Sequence, residues 1–275
     1  MNWSKAKTIC IISFLILNII LFVLISLESR QYTLSSNDIR IISSVLNEND
    51  ISLSENFRFL NHRPLRRILL TINNLNQNFI VNLLMINNTN ISANFSDNIN
   101  IFETESERVT FFNDRIKYEN LTNNDLYFGN ETEKRIFGAN VLRSLNDNAR
   151  NFVLDDINNS EDKTILTYRQ MYQNKIIYTN FISFTFENNN IRNIEINMNP
   201  VQGFWENRRE IRPSNEILLT AMRNITAPAI IENMDIVYVE NNMMATPHHR
   251  IVYTKDRDTN IILINSYTNI LYKIY

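Results

Sequence analysis

One cysteine, Cys10, and three glycines, Gly129, Gly138 and Gly203, are all that this 275-residue chain contains of either type. Cys10 falls inside an apolar N-terminal run, so the remainder has neither a disulfide nor a thiol nucleophile and must be stabilised by burial. The scarcity of glycine excludes a phosphate-cradling glycine loop and requires turns to be made by other residues. Asparagine tolerates left-handed backbone angles better than other non-glycine residues, which makes Glu187-Asn188-Asn189-Asn190 and Thr268-Asn269 expected turns. Histidine is equally sparse: His62 stands alone, and His248 and His249 are adjacent, which puts them on opposite sides of an extended strand and not on one metal. Neither His-Glu-x-x-His nor Gly-x-Ser-x-Gly occurs, and the acidic pairs Asp155-Asp156 and Glu161-Asp162 read as a loop between strands. The sequence therefore assigns no catalytic residue, cofactor or metal ligand. Basic residues gather only at Arg63-Pro64-Leu65-Arg66-Arg67 and Arg208-Arg209, and the net charge is -2. Nucleic acid, which needs a sustained basic face, is not an expected partner.

What the chain does have is an uncharged stretch from Thr8 to Leu27. As a helix rising ~1.5 Å per residue it spans about 30 Å, the thickness of a bilayer's hydrocarbon core. A secretory signal has a shorter apolar region and a small-residue cleavage site, and Val23-Leu24-Ile25-Ser26-Leu27-Glu28 offers none. An uncleaved anchor is expected, with the lipid bilayer as its surroundings. Lys5 and Lys7 hold the N-terminus on the cytoplasmic side, with Trp3 as an interfacial anchor beside them. The expected layout is a cytoplasmic N-terminus at 1–7, a transmembrane helix at 8–27, and everything from Glu28 onward outside the cytoplasm of a single-pass protein of the cell membrane.

Beyond the anchor, helices and strands alternate. Ser35 or Ser36 caps a helix to about Asn47, with Ile39, Ile42, Val45 and Leu46 on one face. Asn76 to Met85 and Thr132 to Leu145 carry helical periodicity, and Ser214 caps a short helix to Met222. Val109 to Phe112 and Ile116 to Tyr118 flank a tight turn. Thr164 to Tyr172, Ile176 to Phe186 and Ile191 to Met198 give the clearest strand pattern, since Ile194, Ile196 and Met198 alternate with polar residues. Ile236 to Glu240, Arg250 to Thr254, Asn260 to Asn265 and Ile270 to Tyr275 complete an antiparallel meander. The expected class is α+β, in two subdomains at 28–130 and 131–275, each an antiparallel sheet with helices on one face.

The first eight residues, Met-Asn-Trp-Ser-Lys-Ala-Lys-Thr, followed by Ile9-Cys10-Ile11-Ile12-Ser13-Phe14-Leu15-Ile16-Leu17-Asn18, resemble the start of the YycI (WalI) family of Firmicutes. Thr167 to Tyr178 is similar to that family's Tyr-x-Gln segment, and Ile262-Leu263-Ile264-Asn265 to its final strand. The chain departs from the family in its glycine poverty and in having Pro247-His248-His249-Arg250 where Pro-Ala-Trp is usual. The resemblance implies a fold like the last two domains of the related YycH family. It also implies a regulatory protein that, with a YycH-type partner, modulates a WalK (YycG)-type sensor histidine kinase controlling cell-wall homeostasis.

Two sets of residues are candidates for contact. Phe14, Asn18, Leu21 and Ile25 recur at i, i+4, i+7 and i+11, one face of the anchor, and an amide at mid-bilayer gains from a hydrogen bond to a neighbouring helix. Phe204 and Trp205, after Gly203, read as a loop aromatic pair that either lids the second core or forms a groove for a wall fragment, lipid or peptide. The latter is the alternative function: an anchored binding module.

Overall fold

A computed structural model describes residues 3–72, 75–85, 90–96, 99–122, 127–145 and 151–274. Helix α1 runs Trp3–Gln31. Helix α2, Ser36–Glu48, begins where Ser35 Oγ accepts the Asp38 amide at 3.1 Å, and it buries Ile42 and Leu46. Strands β1 (Ile51–Leu53) and β2 (Leu65–Leu70) follow. Asn76 caps helix α3, Gln77–Leu84, by accepting the Phe79 amide. A four-strand meander comes next: β3 (Ser92–Phe95), β4 (Asn100–Glu103), β5 (Glu107–Phe111) and β6 (Ile116–Asn120). Helix α4, Glu131–Leu145, opens on a reciprocal cap. Asn130 accepts the Glu133 amide at 2.9 Å, matching an orphan N–H of the first turn, while the Glu133 carboxylate reaches back to accept the Gly129 amide at 2.7 Å. Strands β7 (Phe152–Asn159), β8 (Lys163–Tyr172), β9 (Lys175–Glu187), β10 (Asn190–Asn197) and β11 (Val201–Arg209) precede helix α5, Ser214–Met222. The chain ends with β12 (Ala229–Asn241), β13 (Met244–Lys255), β14 (Asp258–Asn265) and β15 (Leu271–Ile274).

The class is α+β, and three points differ in detail from the sequence reading. Ser214 does not cap α5: Pro213 holds that position without a side-chain bond. The Ser214 hydroxyl is buried and instead donates to Leu60 O and accepts from Leu60 N, both at 3.1 Å. Asp155 and Asp156 lie in β7, not in a loop, because β7 pairs along β8 and Asp155 is held by Arg169 Nε at 2.9 Å. Two pairings, β1 with β12 and β12 with β9, are parallel.

Hairpin turns are made almost without glycine. Gln173-Asn174, Asn188-Asn189, Asn242-Met243 and Asp256-Arg257 each have positive φ at both residues. Two central residues with φ > 0 are the requirement of the tight turn whose twist matches paired strands. Asn269, the other expected turn residue, has φ 58°.

Two compact units emerge, interleaved along the chain. Unit 1 comprises Met1–Leu65, Arg208–Asp235 and His249–Tyr275; unit 2 comprises Arg66–Asn207 and Ile236–His248. This differs from a cut at 130/131, because β12 and β13 are long and their two ends find different neighbours. At one end, Ala229 to Ile231 pair with Ile51 to Leu53 inside unit 1. At the other, Tyr238 pairs with Ile177, and Met244 and Ala245 pair with Leu69 and Ile68, inside unit 2.

In unit 2, alternate residues of β9 (Ile182, Phe184, Phe186) join Val109, Tyr118, Ile194 and Ile196 from neighbouring strands under Ile80, Leu84, Val141 and Leu142 of α3 and α4. Unit 1 packs Ile42 and Leu46 of α2 and Ile217, Leu218 and Ala221 of α5 on Ile51, Ile231, Ile251, Ile262 and Ile264.

Candidate functional site

Helix α1 presents the first candidate surface. From Lys7 to Leu24 its mean hydropathy is 2.5 and none of it is buried. Among the described residues it is the one helix long and apolar enough to cross a membrane, the property of an anchor or of a signal sequence. Phe14 is 67% exposed and Leu21 47%. Asn18 Nδ2 donates to Phe14 O at 2.8 Å, so one amide N–H is matched inside the helix while the carbonyl oxygen and the second N–H are left for a partner. The side chains of Ile25 and Lys5 lie outside the described residues. Near the N-terminus the Lys7 ammonium sits 5.5 Å from the centre of the exposed Trp3 ring.

Phe204 and Trp205 lie on strand β11 and not in a loop, and they are 37% and 45% exposed. Among the described residues strand β11 is an edge, paired with β2. Phe204 packs against Tyr172 with ring centres 5.5 Å apart, and the Arg66 guanidinium lies 5.7 Å from its face. The Trp205 indole N–H donates to Glu206 Oε1 at 3.2 Å. Gly203 at φ 153° and Glu206 at φ 63° interrupt the regular extended backbone of the strand.

Each unit also carries a cleft. In unit 2 a cavity of about 280 Å³ has an apolar floor of Phe111, Ile116, Ile196 and Met198 and a rim at Asp114 and Arg115. In unit 1 a cavity of about 570 Å³ is lined by Gln31, Tyr32, His62, Arg212, Glu216 and Tyr267, among others. Trp205 lines neither. The unit 1 cleft was invisible to sequence reasoning because four distant segments build it.

The adjacent histidines serve separate bonds: His248 Nδ1 meets Thr246 O at 2.9 Å, and His249 Nδ1 meets Ser266 Oγ at 2.9 Å. Burial pushes the His248 imidazole below its usual pKa, with the Thr246 carbonyl partly opposing this. No group of three metal-ligating side chains occurs among the described residues.

No protein-family model matches the chain, and no curated protein matches its sequence. Thirteen solved chains match its fold. One is an uncharacterized protein from Eubacterium rectale ATCC 33656, with a TM-score of 0.54 at 11% identity over 82% of this chain and 91% of that one. Another is the Bacillus megaterium YpeB C-terminal domain, with a TM-score of 0.45 at 9% identity over 72% and 94%. At such identities the likeness is one of fold alone. No sequence-level match to YycI accompanies it.

Proposed function

We propose that the chain is a membrane-anchored regulatory protein whose body lies outside the cytoplasm and which modulates a WalK (YycG)-type sensor histidine kinase together with a YycH-type protein. The observation that carries this reading is the uncovered apolar surface of α1. Each Leu, Ile or Phe left in water forfeits roughly 1.5–3 kcal/mol, and the helix keeps its whole Lys7–Leu24 stretch unburied. The YycI resemblance is concentrated in the same segment, which supports the kinase as partner. Phe14, Asn18, Leu21 and Ile25 form the contact face, and Trp3, Lys5 and Lys7 fix the depth of the helix. Regulation follows if this face binds one kinase conformation better than another, because only differential affinity shifts an equilibrium.

The test is crosslinking from a photoreactive residue at position 18 in native membranes. Capture of a sensor kinase, lost when Asn18 and its face are replaced by leucine, is the expected result; capture of lipid alone overturns the reading. The exposure of Phe204 and Trp205 favours a second reading, an anchored module that takes a wall fragment, lipid or peptide at the β11 edge. Under that reading Trp205→Ala abolishes ligand binding and leaves the crosslink from position 18 empty.

A further inference from the structure

We propose that the unit 1 cleft binds the phosphate–amine headgroup of a zwitterionic phospholipid at the outer membrane surface. The inference rests on the reading above in one respect, that α1 crosses the membrane and leaves the body outside.

Position comes first. Helix α1 continues unbroken to Gln31, and Gln31 and Tyr32 line the cleft. Leu27 is the last residue of the uncharged run, so Gln31 lies about 6 Å further along the axis. The headgroup layer extends roughly 5–7 Å beyond the hydrocarbon on each side. The exit of the helix is tied to the cleft wall, since the His62 amide donates to Tyr32 O at 3.0 Å and the two rings meet edge-on at 5.9 Å. The cleft thus opens at the level of lipid headgroups.

Its chemistry is mixed in sign. Arg212 supplies one cation, Glu210 and Glu216 supply two anions, and Arg212 Nη1 reaches Glu216 Oε2 only at 3.4 Å with both side chains about half exposed. A loosely held pair of this kind exchanges partners at little cost. A phosphate on Arg212 and an ammonium between the two carboxylates satisfy all three, with the Tyr32 ring available to the cation. An anionic headgroup leaves the carboxylates opposed by like charge. An unmatched polar atom points the same way. Of the lining side chains, His62 keeps its Nδ1 shielded from solvent without a hydrogen-bond partner among the described residues, and such an atom ordinarily marks a missing water or ligand. The volume of about 570 Å³ falls in the ordinary range of ligand sites, about 300–1,000 Å³.

Native mass spectrometry of the delipidated full chain in detergent tests this, with phosphatidylethanolamine, phosphatidylglycerol or soluble phosphoethanolamine added. The expected result is retention of phosphatidylethanolamine about tenfold above phosphatidylglycerol, falling about tenfold in Arg212→Gln, the loss of one charge-assisted bond. Arg143→Gln, on the exposed face of α4, leaves it unchanged. Stronger binding of soluble phosphoethanolamine than of the lipid assigns the zwitterion to a free source and overturns the membrane assignment. Equal retention of both lipids, or no effect of Arg212→Gln, overturns the site itself. Topology is read separately by labelling Gln31→Cys, in a Cys10→Ser background, with an impermeant maleimide on intact cells. Absence of labelling defeats the anchored-outside reading and leaves the detergent result interpretable by itself.

Discussion

The core of unit 2 mixes paired aromatic rings with aliphatic side chains, whereas that of unit 1 is almost wholly aliphatic. Phe184 of unit 2 touches Tyr168 and Phe137 edge-on at 5.8 and 5.9 Å, Phe186 meets Phe128 at 5.3 Å, and Phe102 meets Phe111 at 5.7 Å. In unit 1 Tyr253 is the one aromatic among the fully buried core residues described, with Phe57 and Phe59 at its margin. Edge-to-face pairs add about 0.5–1.5 kcal/mol beyond area burial and fix mutual orientation. Such pairs fix side-chain orientation through the core of unit 2, whereas unit 1 holds the apolar helix and the polar cleft of about 570 Å³.

The largest expected effect bears on that contrast. Phe184→Ala should cost about 3–5 kcal/mol in denaturant unfolding of the solubilised chain, and a double-mutant cycle with Phe137→Leu should find about 0.5–1.5 kcal/mol of coupling between the two rings; additive costs break the comparison. Gly138→Ala comes next. A Cβ there stands 3.0 Å from Tyr168 Cε2 and 3.1 Å from its hydroxyl, which donates to Arg135 O, so the ring cannot retreat freely. Overpacking of about 1–3 kcal/mol outweighs the roughly 1 kcal/mol that alanine gains over glycine in a helix, and a neutral or stabilised variant contradicts this packing.

His248 sharpens the contrast through pH. Its folded pKa is depressed by burial, so between the folded pKa and the unfolded value near 6.5 the unfolded chain binds the extra proton. Stability is full above about pH 6.5 and falls as pH drops toward the folded pKa, by at most about 1.4 kcal/mol per pH unit. His248→Gln should flatten that part of the profile; an unchanged slope assigns it elsewhere. Ser35→Ala, which removes the cap of α2 in unit 1, should cost about 1 kcal/mol in the same unfolding measurement, the smallest effect of the four.

Legibility in the sequence follows the range of the interactions involved. The apolar helix, the Ser35 cap, the helix near Asn76 to Met85, the asparagine turns and the alternation of Ile194, Ile196 and Met198 are local, and each is found where residue spacing puts it. Strand β11 was missed because Gly203 interrupts it and most of its residues are exposed, leaving no alternation to read. The interleaved units depend on pairings between residues as much as 178 positions apart, such as Ile51 with Ala229. Ser214 shows the same limit: its spacing suits a cap, but Leu60, remote in sequence, takes its hydroxyl. The intrahelical bond of Asn18 was within reach of local reasoning, because an amide mid-helix can bond the carbonyl four residues back.

The claim beneath the whole account is that the N-terminal helix is a permanent tether. Alkaline extraction of native membranes followed by intact-mass measurement tests it most directly. The account predicts a chain that stays with the membrane pellet and retains Trp3 through Gln31; a soluble product cut near Leu27 contradicts it.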